Sequence, residues 1–368
     1  MRLTIAKPGL ERYYEEKLYG KGRGHMGRDR VRIADIAESL GLSTATVSNV
    51  IHGKTGKISP ETVRRVQQEL ERTGYIPNMA GILLARNDSR ILGVVVHDHP
   101  KYEGRVLEDG FVMSALNALC REVNRRGYFL MVKTTEDFGE IPAFASMWNM
   151  DGLILMGFCE TDYETLRSQM HISFVVYDGY FESRPGKGMV NLVIDHYDGG
   201  VQAGKYLRAL GHQKALCIAD NFICMDQERI QGFRQAFSPG ETLFWQIPDT
   251  RQQRAAFYEE RFPKLLEEQI TAVFAVSDYY ALDLMTFLQG KGLQVPGDVQ
   301  ILGFDDTLSS HNSRPALTTI RQDPALRART AIDCLEAMKG GSSCPGKITL
   351  PVELIIREST RNLSCPHS

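Results

Sequence analysis

Residues 31–52, VRIADIAESLGLSTATVSNVIH, are compatible with one local fold and few others. Ile33, Ile36, Ala37 and Leu40 recur at i, i+3, i+4 and i+7, the apolar stripe of a short amphipathic helix. Gly41 stands where a chain leaving a helix turns through positive φ. Ser43 can cap a second helix, to which Val47, Val50 and Ile51 give its own buried face. Two short helices around such a turn either form a plain helical hairpin or lay the second helix in the major groove of DNA. Ser59-Pro60-Glu61 opens a third helix with a capping hydroxyl, a proline at the first helical position and a carboxylate at the positive helix end. Val63, Val66 and Leu70 carry its buried face, and Gly74 closes it.

Charge separates these two possibilities. The 368-residue chain has a net charge of only −2, but residues 1–90 hold 16 Lys+Arg against 10 Asp+Glu, whereas the remainder holds 27 against 35. A basic first part and an acidic body suit a protein that meets phosphates at one end only.

In order, IADIAESLGLSTATVSNVIHG, ISPETVRRVQQELERTGYIPN and the apolar run MAGILLARN resemble the headpiece and hinge of the LacI/GalR family of bacterial transcriptional regulators. Further along, LGH at 210–212, GF at 232–233, VPGDVQILGFDD at 295–306 and TTIRQD at 318–323 resemble the effector-binding body of that family, so the likeness runs from about residue 31 to about 358. It implies an α/β protein with a small all-α helix-turn-helix headpiece. The body would be two-lobed and periplasmic-binding-protein-like, with parallel sheets.

The body reads the same way without the resemblance. ILGVVV (91–96), YFLMV (128–132), DGLILM (151–156) and ISFVVYD (172–178) are strand-like, and helix-length segments separate them. A second series begins near Val190 and passes through KALCIAD, ETLFWQI, TAVFAVSD and VQILGFDD, again with helical segments between. Such alternation predicts parallel sheets covered by helices. The expected organisation is a disordered extension over 1–30, the headpiece over 31–76 and a hinge over 77–90. An effector-binding body follows over 91–358, with lobes near 91–190 and 191–320 and crossovers after 320, and a tail over 359–368.

In a helix-turn-helix the first turn of the second helix reaches the base edges, which selects Thr44, Ala45 and Asn49. Asn can pair with adenine through two hydrogen bonds, and Thr and Ala can touch a thymine methyl. Ser43, Thr46 and Ser48 are expected as phosphate contacts or capping groups. Asn49 and His52 stand where relatives often carry Arg and Asn, so base preference is expected to differ from theirs. Tyr75 and Asn78 of the YIPN motif complete the DNA-contacting set, with Leu84, which the resemblance implies as a wedge into the minor groove.

Ligands of two-lobed α/β proteins bind beyond the carboxyl ends of strands. His97, Asp98, Asp178, Ser277 and Asp305 end strands there, beside Asp278 and Asp306, and carboxylates and amides suit vicinal hydroxyls. The alternative for an Asp after a strand is a helix cap or a turn. The resemblance adds Arg229 as an effector contact and favours Asp305. Phe158, Tyr177 and Trp245 are aromatic candidates for stacking on a sugar.

The seven cysteines form no C-x-x-C pair and no metal-binding spacing, so no metal, no cofactor and reduced thiols in the cytoplasm are expected. No apolar run reaches membrane-spanning length, and no secretory leader is expected. P-loop, G-x-S-x-G and H-E-x-x-H motifs are absent, so no enzyme is expected. The whole reads as a sequence-specific transcription regulator, a repressor under allosteric control by a sugar-like small molecule. It would act as a homodimer, or a tetramer, on a near-palindromic duplex, with no membrane partner. The alternatives are a regulator controlled by a docked partner protein and a sugar-binding protein with a vestigial headpiece.

Overall fold

The computed structural model describes residues 31–51, 53–75, 89–158, 163–181 and 186–361. It divides into two compact units, residues 1–87 and 88–368. His52, Asn78 and Leu84 lie outside the described residues, as do the extension over 1–30 and nearly all of the expected hinge.

The first unit contains α1 (Ile33–Leu40), α2 (Thr44–Ile51) and α3 (Pro60–Thr73). Gly41 ends α1 at φ 64°, and its N–H returns to the last turn of the helix. The Ser43 hydroxyl accepts the Thr46 N–H at 3.1 Å, and Ser59 accepts the Thr62 N–H at 3.2 Å at the start of α3. Ile36, Ala37, Val47, Val50 and Val66 form a small core, with Leu40, Leu70 and Tyr75 packed against it.

The second unit is built from two six-stranded sheets. In chain order its elements are β1 (Ile91–His97), α4 (Gly110–Arg125), β2 (Phe129–Thr135), α5 (Ile141–Met147), β3 (Gly152–Met156), α6 (Tyr163–Gln169), β4 (Phe174–Tyr177) and β5 (Met189–Ile194). Then come α7 (His196–Ala209), β6 (Lys214–Ala219), α8 (Cys224–Phe237), β7 (Glu241–Gln246), α9 (Arg251–Glu267), β8 (Ala272–Ala275), α10 (Asp278–Gly290) and β9 (Gln300–Asp305). The chain finishes with α11 (Leu308–Asn312), β10 (Thr318–Gln322), α12 (Pro324–Lys339), β11 (Lys347–Leu350) and β12 (Val352–Ile355). The first sheet runs β11-β5-β4-β3-β1-β2 and the second β12-β10-β9-β8-β6-β7. Every pairing is parallel except that of β10 with β12.

One expectation needs correcting. Val190 does not open the second lobe: β5 pairs with β4, Val175 opposite Val190, and so belongs to the first sheet. The chain passes to the second lobe only after Ile194. It returns after β10, so that α12 packs on α4, and crosses a last time between β11 and β12. The run MVNLVI is buried throughout, as a central parallel strand should be, and such a pattern carries no label for one sheet or the other.

Among the described residues no helix is long and apolar enough to cross a membrane.

Candidate functional site

The headpiece presents the first turn of α2. Val47 and Val50 face inward, and the opposite side, with Thr44, Ala45 and Asn49, is exposed. Packing therefore does not account for Ala45. Ser43 and Thr46 hydroxyls lie 2.9 Å apart and both serve the cap, while Ser48 and Tyr75 are half-buried, Tyr75 against the core.

In the body, the carboxyl ends of the strands surround a polar centre. The Asp178 carboxylate, just past β4, accepts from His196 Nε2 at 2.9 Å and from Arg327 at 2.7 Å. His196 Nδ1 accepts from Arg229 Nε at 3.1 Å, and Arg229 stands 4.0 Å from Asp305 at the end of β9. Asp305 accepts from Gln322 at 2.7 Å, and Gln322 accepts from Arg327 at 3.0 Å, closing the circuit. His196, Gln322 and Arg327 lie next to passages between lobes, and Asp178, Arg229 and Asp305 reach them from strand ends and from α8. Sequence alone pointed to Asp178, Arg229 and Asp305 but missed His196, Gln322 and Arg327, which read there as ordinary helix and strand residues.

The helix crossing that assembles this centre depends on glycine. A Cβ on Gly200 of α7 would collide with the Arg229 carbonyl of α8, and one on Gly232 with the Tyr197 carbonyl. Close backbone approach of the two helices sets Arg229 beside His196. Its guanidinium also lies over the Phe304 ring, 3.8 Å from the centroid.

Electrostatics follow from the geometry. Arg229 Nε can only donate, so His196 carries its proton on Nε2. Burial lowers its pKa, and the neighbouring guanidiniums add to that effect against Asp178, so the ring is neutral. Burial opposes charge on Asp178, yet Arg327 and His196 outweigh it and hold that carboxyl well below its ordinary value. Asp305 goes the other way. Burial raises it well above the usual carboxylate range, and Asp278 and Asp109 add to this against Arg229. Asp305 also has φ 120° and Asp178 φ 53°, backbone positions that non-glycine residues seldom hold and that concentrate at functional sites.

The other candidates separate clearly. His97 stacks on Phe158, centroids 5.0 Å apart, and its Nδ1 lies 3.1 Å from the Gly157 carbonyl. Asp98 Oδ1 is buried without a hydrogen-bond partner among the described residues. Ser277 caps α10, accepting the Tyr280 N–H at 3.3 Å. Asp278 is fully buried and holds Thr307 and Thr319, while Asp306 pairs with Arg321 and Arg357. Trp245 packs on Phe257 of α9, away from both cavities' linings.

Two cavities open between the lobes at Asp305 and Phe111. One, of about 580 Å³, lies among Tyr102, Asp109 and Phe111 on one side and Tyr258, Tyr279 and Asp305 on the other. The second, of about 400 Å³, is bounded by Phe111, Ser114, Tyr177, Asp305 and Arg327. Tyrosine and phenylalanine faces beside carboxylates form a surface on which a polyol can stack and donate hydrogen bonds. Nearby, Lys101 of the first lobe reaches Asp220 of the second at 3.4 Å.

Comparison with known proteins decides the family. The HTH-type transcriptional regulator DegA of Bacillus subtilis (strain 168) is 31% identical over 354 residues, covering 91% of this chain and 99% of DegA. The chain belongs to the lacI family of bacterial regulatory proteins. Residues 32–78 match that family's description, and residues 205–360 match a periplasmic binding protein-like domain. The HTH-type transcriptional repressor PurR of Vibrio vulnificus (strain CMCP6) is 27% identical over 344 residues, 90% of this chain and 99% of PurR. Among solved structures, the Lac repressor dimer bound to operator and the anti-inducer ONPF has a TM-score of 0.76 at 23% identity. The match covers 89% of this chain and 98% of that one, and the fold of this lacI-family chain is Lac repressor-like.

Proposed function

We propose that this regulator is a repressor that binds a near-palindromic operator as a homodimer and is controlled by a small, sugar-like molecule in the inter-lobe cleft. Family membership makes it a transcription regulator; the relative PurR is named a repressor, and the Lac repressor neighbour is a dimer on its operator with an anti-inducer. The observation that carries the reading is the exposed face of α2, with Thr44 and Ala45 in its first turn and Asn49 in its second, backed by the buried Val47 and Val50. In this reading Thr44, Ala45 and Asn49 read base edges. Ser43, Thr46 and Ser48 position the duplex, His52, Tyr75 and Asn78 complete the DNA-contacting set, and Leu84 enters the minor groove. Two headpieces on a two-fold axis read two half-sites.

In this reading Asp305, which borders both cavities, is the polar contact of the effector, with Asp178 and Arg229 behind it in the buried circuit; His97, Asp98 and Ser277 are strand-end candidates outside those two linings, and the reading calls for neither a cofactor nor catalysis. Effector binding shifts the balance between lobe arrangements, and with it DNA affinity, by a reciprocal factor.

Selection of the purified protein against a random duplex library tests this. A near-palindromic consensus is expected. Asn49→Ala should relax one base position in each half-site, whereas Arg64→Ala, exposed on α3, should weaken all sequences alike. Recovery of no consensus would defeat the proposal.

A further inference from the structure

The chain comes into the second unit from the headpiece side at Ser89, and one carboxylate holds it there. Asp151, immediately before β3, accepts the Ser89 N–H at 3.3 Å and the Ser89 hydroxyl at 3.4 Å through Oδ1, and the Arg90 N–H at 3.1 Å through Oδ2. Ser89 is 1% exposed and the Asp151 side chain 5%. Arg90 stands at φ 53°, a position that non-glycine residues keep only where their surroundings hold them, and its carbonyl accepts the Phe129 N–H at 2.7 Å. The entry to β1 is therefore fixed and strained.

The same Asp151 Oδ2 accepts the Lys339 ammonium at 2.6 Å. Lys339 is the last residue of α12, and Arg327 lies in the first turn of that helix, about 18 Å away along its axis. Arg327 borders the smaller cavity and is fixed by Gln322 at 3.0 Å, the Leu192 carbonyl at 2.9 Å and Asp178 at 2.7 Å. Between its ends α12 is keyed to the first lobe. Leu335 fills the space beside Gly152, where a Cβ would lie 2.9 Å from it, and Arg126, just past α4, pairs with Asp333 and Glu336. One helix thus joins the cleft circuit to the carboxylate that fixes the point where the chain arrives from the headpiece.

We propose that Asp151 and Lys339 are positioning residues for DNA binding: a rearrangement at Arg327 displaces α12, and the Lys339–Asp151 pair passes that displacement to Ser89 and Arg90. The inference rests on the regulator reading above and deepens it, by naming the residues that connect the cleft to the DNA-binding end. Charge-assisted hydrogen bonds are short and directional, so a displaced α12 either carries Asp151 with it or breaks the Lys339 contact. Only the first transmits. Without the ammonium, Asp151 still holds Ser89 and Arg90, but α12 loses its polar grip on them.

A cycle of substitutions in the full chain tests this without an effector, read as affinity for the duplex recovered by the selection described above. Substitutions this far apart with no shared partner ordinarily combine multiplicatively to within about twofold. Arg327→Met should change operator affinity by at least about fivefold in the parent chain. In the Lys339→Met and Asp151→Asn backgrounds the same substitution should change it by less than about twofold. Lys339→Arg, which keeps a cation for Asp151, should restore most of the response. If Arg327→Met fails to fold, Gln322→Met, which takes away an acceptor of Arg327, replaces it in the cycle. The same factor in every background, or no response in the parent, overturns the proposal. A merely structural role for Lys339 would lower the thermal midpoint and leave the factor intact. A parent that binds operator while the factors multiply keeps the regulator and removes the junction; a parent that selects no duplex removes the regulator, and this inference with it.

Discussion

Asp305 ends a central strand at φ 120°, with its side chain about nine-tenths buried and its carboxyl pushed up by that burial. Because its folded pKa lies above the unfolded one, the folded state binds the extra proton. Stability is then highest below the unfolded pKa and is lost as pH rises towards the folded pKa. Asp305→Asn removes that cost and keeps a polar partner for Gln322. Its thermal midpoint should exceed that of the parent, by more at pH 8 than at pH 5, while effector affinity falls. Paired melts at the two pH values check this; an equal or lower midpoint at pH 8 would contradict the assigned burial cost. His196 shows a different residue-scale device, a neutral imidazole that joins an ionised Asp178 to a guanidinium without adding charge.

At the scale of elements, the crossing of α7 and α8 places the site. Gly200→Ala drives a methyl into the Arg229 carbonyl, and the overpacking should cost about 1–3 kcal/mol or more and displace Arg229. Urea unfolding should show the lower midpoint, and effector affinity should fall with it; an unchanged midpoint would mean the helices part at no cost.

The alternation of strands and helices was legible because each buried strand is a short apolar run between polar segments. Its assignment to sheets was not. Val190 pairs with Val175, and α12 returns to the first lobe after β10, both through contacts that no local pattern encodes. The site divides along the same line. Asp178 and Asp305 could be found because strand ends are where such folds bind ligands, and Arg229 because of its place in a family motif. His196 and Arg327 could not, since each becomes special only when three passages between lobes bring distant segments together. The spacing of Gly200, Gly204 and Gly232 was the one available hint of a close helix crossing.

At the scale of the whole molecule, the proposed reading has a basic headpiece and an acidic body divide the labour: the headpiece would meet phosphates, and the cleft of the body would take a small molecule. Linkage makes the two ends answerable to each other, because an effector that alters operator affinity must have its own affinity altered by the operator equally. The most direct measurement is the affinity of the purified chain for a duplex from its own promoter region across a range of salt concentrations. The account predicts that log K falls linearly and steeply with log salt, with tighter binding than to a scrambled duplex at every point. Equal affinity for both duplexes, or no salt-dependent binding at all, would contradict it.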